Sequence, residues 1–237
     1  MNAQHIGPIL PPPTLALFDL DDTLCDYAAA RGGRLRIAFR KALAHAPDVD
    51  LDALVAESIA AHPHGSDHFG DLLADHGVTD SRAVDAAWAW FHRNRFHGLA
   101  LLPDAAETLD RVRAAMPGRR IGLITNGPAD VQRAKIDMLG LEPHLDFALI
   151  SGEFGVAKPD PAIFAEALRR GGADAGDAVV IGDSPEFDIA GAQASGIRAV
   201  WMNHAGLLWA DGAPRPDREA GDLGEVRRLL GEMRDER

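Results

Sequence analysis

The sequence is poor in cysteine, in basic residues and in long apolar runs, and each of these features argues against a class of protein. Cys25 is its single cysteine, so no internal disulfide can form and a reducing compartment is indicated. Lys and Arg number 24 against 36 Asp and Glu, and this acidic excess argues against nucleic acid or an anionic membrane as a partner. No apolar run approaches the roughly 20 residues that span a bilayer, and the N-terminus lacks the features of a signal peptide. We therefore expect a soluble cytoplasmic protein.

The length and apolar content are those of a folded protein. With 237 residues, 46% of them hydrophobic, the chain can form one large domain or a core that carries a smaller inserted module. Residues 1–13 contain three consecutive prolines and are expected to form an extended tail outside the core.

Short apolar runs alternate with helical patterns from Leu101 onward. This alternation predicts parallel βαβ units and an α/β fold with a doubly wound, Rossmann-like sheet. The predicted strands cover residues 14–18, 121–124, 146–150, 178–183 and 197–201, and a last helix covers residues 223–233.

The segment between the first predicted strand and the rest has little strand character. Its clearest helix follows Asp80 and Ser81, which are residue types that cap helix N-termini. We therefore expect a core made of residues 14–25 and 100–237, with residues 26–99 inserted as a helical cap domain.

Three carboxylates follow the first predicted strand directly. Asp19, Asp21 and Asp22 would repel one another unless a cation lies between them, and Mg²⁺ prefers such oxygen ligands. An aspartate can also attack phosphorus as a covalent nucleophile. A solvated acidic turn is the other interpretation of the same residues.

A second acidic pair, Asp183 and Asp188, follows the predicted strand at 178–183. Ligands of doubly wound sheets bind beyond the carboxyl ends of the strands, so the first three carboxylates and this pair are expected at one site. Asp188 can alternatively serve as a favourable charge near a helix N-terminus. Lys158 lies between Gly155 and two prolines, which favours a shaped loop over an ordinary surface position.

A hydroxyl residue follows the predicted strand at 121–124. Thr125, Asn126 and Gly127 precede a predicted helix, and free N–H groups at a helix start bind phosphate well. The same three residues are also compatible with a plain turn.

Four segments in this order resemble the motifs of the haloacid dehalogenase-like hydrolase superfamily: FDLDDT, LITNG, AKPDP and GDSPEFD. The resemblance runs from about Thr14 to the C-terminus and points to the phosphatase branch with an inserted helical cap. It implies that Asp19 is the nucleophile and that Asp21 is first the general acid and then the general base.

The same resemblance implies the rest of the site. Thr125, with Asn126 and Gly127, would bind the phosphoryl group, and Lys158 would neutralise its charge. Mg²⁺ would be held by the Asp19 side chain, the Asp21 carbonyl and the Asp183 side chain, with Asp188 in support.

Asp21 favours phosphate chemistry over dehalogenation, since the dehalogenase branch lacks an acid two residues after its nucleophile. A sugar-phosphate mutase shares all four motifs and stays open, as does, more remotely, a non-catalytic binding protein. The expected substrate is a small phosphorylated metabolite, such as a nucleoside monophosphate or a sugar phosphate. The protein would be a monomer or a homodimer.

Several cap residues are weaker candidates. The histidines at 62, 64 and 68 are expected in a polar loop that faces either the substrate or solvent, and metal binding is the third interpretation. Aromatic packing is expected of Trp88, Trp90 and Phe91. Three arginines of the first cap helix are expected on a solvated face, although one of them could instead bind a substrate anion: Arg31, Arg34 and Arg36.

Overall fold

The chain divides into two compact units. The computed structural model describes residues 12–45, 49–61, 65–209, 212 and 215–231. The larger unit consists of Met1–Cys25 and Leu101–Arg237, and the smaller unit consists of Asp26–Ala100. Among the helices so described, none is long and apolar enough to cross a membrane.

A parallel six-stranded sheet forms the centre of the larger unit. Its spatial order is β3-β2-β1-β4-β5-β6, the order of a doubly wound dinucleotide-binding fold, so the predicted fold class is confirmed. The strands are β1 (Leu15–Phe18), β2 (Arg120–Thr125), β3 (Phe147–Ile150), β4 (Ala178–Gly182), β5 (Arg198–Met202) and β6 (Arg218–Ala220).

Five of these strands match the apolar runs of the sequence, and the sixth does not. All residues of β1 and β4 are buried, because a parallel sheet is covered on both faces and so uses continuous apolar runs. The edge strand β6 has the sequence REA, in which only Ala220 is buried. Three residues with two exposed polar side chains carry no strand pattern, so this element was not predicted.

Helices connect the strands of the larger unit. The longest of them, Pro161–Gly171, packs on β1, β2 and β3. The helices are α5 (Ala105–Ala114), α6 (Ala129–Met138), α7 (Ser151–Phe154), α8 (Pro161–Gly171), α9 (Gly191–Ala194) and α10 (Leu223–Leu229), with a π-helix at Pro185–Ala190 before α9.

A buried arginine joins the two ends of the larger unit. The Arg119 guanidinium donates to the carbonyl oxygens of Pro13 at 2.8 Å, Val112 at 2.8 Å and Leu230 at 2.9 Å. Only 3% of Arg119 is exposed, so these carbonyls replace the water that would otherwise solvate the charge.

Four α-helices form the smaller unit within the described residues. They are α1 (Tyr27–Ala42), α2 (Leu51–Ala61), α3 (Phe69–Asp75) and α4 (Ser81–Arg93). Asp80 accepts a hydrogen bond from the Arg82 N–H at 3.0 Å, so the helix start predicted there is confirmed. Phe69 lies at the centre of the core, with its ring centroid 4.8 Å from that of Phe39 and 5.2 Å from that of Phe91.

The expected solvated face of α1 is wrong for two of its three arginines. Arg31 and Arg34 are 2% and 4% exposed, and their guanidinium groups lie 5.6 and 4.7 Å from the ring centroid of Phe91. They donate to the carbonyl oxygens of Gly65 at 2.8 Å and Arg95 at 2.5 Å. These contacts compensate the burial of two cations. Arg36 is exposed as expected and pairs with Asp52.

The remaining candidates of the smaller unit have mixed outcomes. His62 and His64 lie outside the described residues. His68 is buried, with Nε2 2.7 Å from Ser58 Oγ, so an exposed polar loop is wrong for this residue. Phe91 packs in the core as expected, whereas Trp88 is 46% exposed.

Candidate active site

The carboxyl ends of three neighbouring strands bring the polar motifs together. In the parallel register, Phe18 of β1 pairs with Leu123 of β2 on one side and with Ile181 of β4 on the other. Asp19 follows β1, Thr125 ends β2 and Asp183 follows β4. The first strand and the 178–183 strand are therefore neighbours, and their acidic residues share one edge of the sheet.

One buried ammonium group bridges two aspartates at this edge. Lys158 Nζ lies 2.6 Å from Asp19 Oδ1, 2.6 Å from Asp188 Oδ1 and 3.0 Å from the carbonyl oxygen of Ile124. An ammonium has three donors, and all three are used at this position. Lys158 and Asp188 are 4% and 1% exposed, so these short charge-assisted bonds are shielded from solvent.

The loop that carries Lys158 is held by the residue after Thr125. The Asn126 side chain accepts from the Lys158 N–H at 2.9 Å and donates to the Lys158 carbonyl at 2.9 Å. Sequence reasoning assigned Asn126 to phosphate, yet its side-chain amide fixes the backbone of the lysine loop.

The acidic cluster holds more negative charge than Lys158 can balance. Oxygen atoms of Asp19, Asp183 and Asp188 all lie within 4.8 Å of one another. Burial raises the pKa of Asp19 well above its usual value, and the charges of Asp188, Asp183 and Asp21 add to this although Lys158 opposes it. Burial, followed by the charges of Asp188 and Asp22, raises the pKa of Asp183 to about 7. Closely spaced carboxylate oxygens with excess charge fit a hard divalent cation.

Lys158 itself stays charged in this setting. Burial lowers its pKa, but the charges and hydrogen bonds of Asp188 and Asp19 outweigh burial and hold the pKa above the usual value. The site therefore presents a fixed positive group beside Asp19, which suits binding of an anionic group.

The strand end at Gly182 is shaped by Asp188. A Cβ placed on Gly182 would collide with the carboxyl carbon and oxygen of Asp188. The Ser184 N–H donates to Asp188 Oδ2 at 3.1 Å, and the Trp201 indole donates to the Asp183 carbonyl at 2.8 Å. These contacts fix the loop between β4 and the π-helix, and sequence reasoning missed Trp201 because it looks like an ordinary strand residue.

Thr125 and Gly127 lie at the turn between β2 and α6. Thr125 is 1% exposed, and its Oγ1 lies 2.5 Å from Gln132 Nε2. Gly127 has φ 139°, a backbone conformation that favours glycine, and its N–H donates to Ser151 Oγ at 2.9 Å. Thr125 thus reaches the site edge, and Ser151 of α7 holds the turn.

Asp21 has partners that the sequence did not reveal. Both of its carboxylate oxygens accept from Lys135 Nζ, at 2.8 and 2.6 Å, and Oδ2 lies 3.3 Å from Gln132 Nε2. A lysine in the middle of a helix normally indicates a solvated surface, so no pattern marked Lys135. Cys25 is buried, and its Sγ lies 3.5 Å from Asp21 Oδ1.

Comparison with known proteins gives a consistent family. The model of the family described as "Hydrolase: haloacid dehalogenase-like hydrolase" matches residues 13–196. A phosphoserine phosphatase of Thermus thermophilus is 39% identical over 74% of this chain and 68% of its own length. A glyceraldehyde 3-phosphate phosphatase of Methanopyrus kandleri is 32% identical over 92% of this chain and 96% of its own length.

A solved structure shares the architecture over most of both chains. It is a 2-haloacid dehalogenase from Pseudomonas syringae pv. tomato DC3000, 36% identical, with a TM-score of 0.59 and coverage of 91% of this chain and 97% of that chain. The family model matches more than half of the residues of this chain. The chain therefore belongs to the haloacid dehalogenase-like hydrolases.

Proposed function

We propose that this protein hydrolyses a small phosphate monoester with Mg²⁺, through an aspartyl-phosphate intermediate on Asp19. The observation that carries the proposal is the buried Asp19 carboxylate, held by Lys158 at 2.6 Å and surrounded by Asp183 and Asp188. The enzyme class, a phosphoric monoester hydrolase, follows from curated relatives of 31–39% identity that are named as phosphatases.

In the first step, an oxygen of Asp19 attacks phosphorus and the bond between phosphorus and the ester oxygen breaks. The electron pair of that bond leaves with the ester oxygen, which receives a proton from Asp21. Thr125 binds the phosphoryl oxygens and the positive charge of Lys158 compensates their negative charge, because this reaction depends mainly on positioning and on compensation of oxygen charge.

In the second step, water attacks the phosphorus of the aspartyl phosphate while Asp21 takes a proton from that water. The bond between phosphorus and the Asp19 oxygen breaks, which releases inorganic phosphate and restores the Asp19 carboxylate. Asp21 is then protonated again, as the first step of the next turnover requires.

A bound Mg²⁺ would offset charge on the phosphoryl oxygens. The residues that would hold it are Asp19 and Asp183 of the acidic cluster, through their carboxylates, together with the Asp21 carbonyl. Asp188 is engaged with Lys158 and Ser184, which suits a supporting role.

Dehalogenation is the second candidate, because a structure named as a 2-haloacid dehalogenase is 36% identical. Displacement of halide from carbon needs no proton donor for the leaving group. In this chain, Asp21 occupies the position of such a donor and is fixed by Lys135, which favours the phosphatase reaction.

The substrate belongs to the class of small phosphorylated metabolites. The names of the relatives include phosphoserine, glyceraldehyde 3-phosphate and ribulose-1,5-bisphosphate phosphatases, and a sugar phosphate or a nucleoside monophosphate stays within the proposal. A sugar-phosphate mutase would instead transfer the phosphoryl group to a second sugar hydroxyl. Release of free inorganic phosphate distinguishes the phosphatase from such a mutase. We assign this chemistry to the cytoplasm.

The test is release of inorganic phosphate from a panel of phosphate esters with Mg²⁺, beside chloride release from 2-chloropropionate. Acid-quenched enzyme is digested and analysed by mass spectrometry for a phosphoryl group on the peptide containing Asp19. We expect phosphate release, a phosphorylated peptide, and loss of both in Asp19→Asn. Phosphate release by Asp19→Asn at the wild-type rate contradicts the nucleophile assignment, and chloride release without phosphate release contradicts the reaction class.

A further inference from the structure

The inner face of α6 carries two buried polar residues. Gln132 and Lys135 are 1% and 4% exposed, next to the buried Ile136. Residues three apart lie on the same face of a helix, so both side chains point in one direction. Burying an ammonium is costly unless it is paired, and its place on this face therefore requires a reason.

That reason is found in the contacts of the two side chains. Lys135 Nζ binds both oxygens of Asp21, at 2.8 and 2.6 Å. Gln132 Nε2 lies 3.3 Å from Asp21 Oδ2 and 2.5 Å from Thr125 Oγ1. The Lys135 side chain is 5% exposed while that of Asp21 is 26% exposed, so a buried anchor holds a carboxylate that is still accessible.

We propose that Lys135 and Gln132 are positioning residues, which fix the Asp21 carboxylate relative to the phosphate-binding turn for proton transfer to the leaving oxygen. The inference rests on the proposed function, in which Asp21 is the proton donor. Helix α6 begins at Ala129, directly after the turn that carries Thr125. One rigid element thus sets the separation between the phosphoryl group and the acid.

The effect of such a role depends on the leaving group. A nitrophenolate leaves readily without a proton, whereas the more basic phenolate needs one, and the two phosphate esters have nearly the same shape. Loss of proton donation therefore slows hydrolysis of phenyl phosphate more than that of p-nitrophenyl phosphate. Simple distortion of the site slows both by the same factor.

The experiment measures kcat and KM of both esters for the wild type, Lys135→Met, Lys135→Arg, Asp21→Asn and the double variant Asp21→Asn/Lys135→Met. Arg133→Met is the matched control, because Arg133 lies on the same helix and pairs with Glu153 on an exposed face. Thermal unfolding of each variant reports on the fold. If Lys135→Met does not fold, Lys135→Gln takes its place in the same cycle.

We expect Asp21→Asn to slow phenyl phosphate by ~10²–10⁴, the usual contribution of a general acid. Lys135→Met should lower kcat/KM, which reports the steps up to cleavage of the ester bond, by at least ~10-fold more for phenyl phosphate than for p-nitrophenyl phosphate, as a fraction of that contribution. Lys135→Arg should restore part of the loss. In the Asp21→Asn background, Lys135→Met should have little further effect, since groups that act as a unit are not additive.

Two outcomes overturn different claims. If Asp21→Asn lowers kcat/KM of both esters by the same factor, the proposed acid role of Asp21 fails; an equal fall in kcat alone reports the second step, which the two esters share. If Asp21→Asn discriminates between the esters but Lys135→Met scales both alike, or acts additively with it, the positioning role of Lys135 fails while the proposed function stands.

Discussion

Lys158 and Asp188 form a buried ion pair, with Nζ 2.6 Å from Oδ1, at the carboxyl end of the central strands. The same ammonium lies 2.6 Å from Asp19, so one cation from the loop before α8 binds the candidate nucleophile and a residue of the π-helix. Both acids depend on this one group, and its removal should affect them together.

Lys158→Met should therefore lose turnover while the chain still folds. We expect kcat to fall by ~10²–10³ or more, as when one charge-stabilising donor is removed from an active site. Phosphate release is measured beside that of Lys41→Met, which removes an exposed cation of α1. Equal activity of the two variants would exclude Lys158 from the reaction.

The acidic cluster should make the protein respond to Mg²⁺. Saturation with a ligand at about 100 times its Kd stabilises the folded state by about 2.7 kcal/mol, so thermal unfolding should shift upward with Mg²⁺. Activity should disappear with EDTA, and Ca²⁺ should restore it poorly because it takes more ligands at longer distances. Asp183→Asn is the matched variant, and an undiminished Mg²⁺ shift in it would remove Asp183 from the ligand set.

The raised pKa of Asp183, about 7, predicts a pH dependence of the metal-free protein. Between pH about 4 and about 7, the folded state keeps a proton on Asp183 that the unfolded state releases, so this residue lowers stability as pH rises. The free energy of unfolding of Asp183→Asn minus that of the wild type should grow as pH rises through this window. It is measured by urea unfolding in EDTA, and a constant difference would contradict the raised pKa.

Gly182→Ala should damage the site through Asp188. The added Cβ would overlap the Asp188 carboxyl group, and overpacking of a buried site costs about 1–3 kcal/mol. We expect lower stability and lower kcat together. Gly176→Ala is the control, because nothing lies within 4 Å of a Cβ there. Equal changes of stability and kcat in the two variants would show that contact with Asp188 is not the reason for glycine at position 182.

Arg119→Met should destabilise the larger unit without a direct effect on the site. It leaves three carbonyls without the donor that now binds them, and each unsatisfied buried group costs about 1–3 kcal/mol. Arg111→Met, which removes an exposed cation paired with Glu107, should change the free energy of unfolding by much less. Similar losses in the free energy of unfolding for the two variants would contradict a stabilising role of the Arg119 hydrogen bonds.

The sequence predicts the sheet and the strand-end residues well, because both follow from patterns along the chain. An apolar run followed by an acid, as at Phe18 and Asp19, identifies a buried strand and its functional end. The strand β6 has no such run. Lys135 and Arg31 resemble surface cations in the sequence, because a helix pattern shows which residues share a face but not that a carboxylate or a carbonyl lies beneath it.

The segment with the histidines at 62, 64 and 68 shows the same limit. Its polar side chains favour a loop that faces the substrate or solvent, but His68, which lies among the described residues, is buried against Ser58. Its substitution should first lower the stability of the smaller unit, since one hydrogen-bond partner is lost inside a core.

The bridge between Cys25 and Leu101 has a consequence for how this chain can change. Cys25 and Leu101 both belong to the larger unit, and the smaller unit, Asp26–Ala100, is inserted between them. The bridge therefore holds the two ends of the insertion next to each other. The entropy of closing a loop rises only slowly with its length once its ends are held. Insertions and deletions within residues 26–100 should therefore leave the sheet almost untouched, so this stretch of chain is free to diverge in length while the strand-end chemistry is retained.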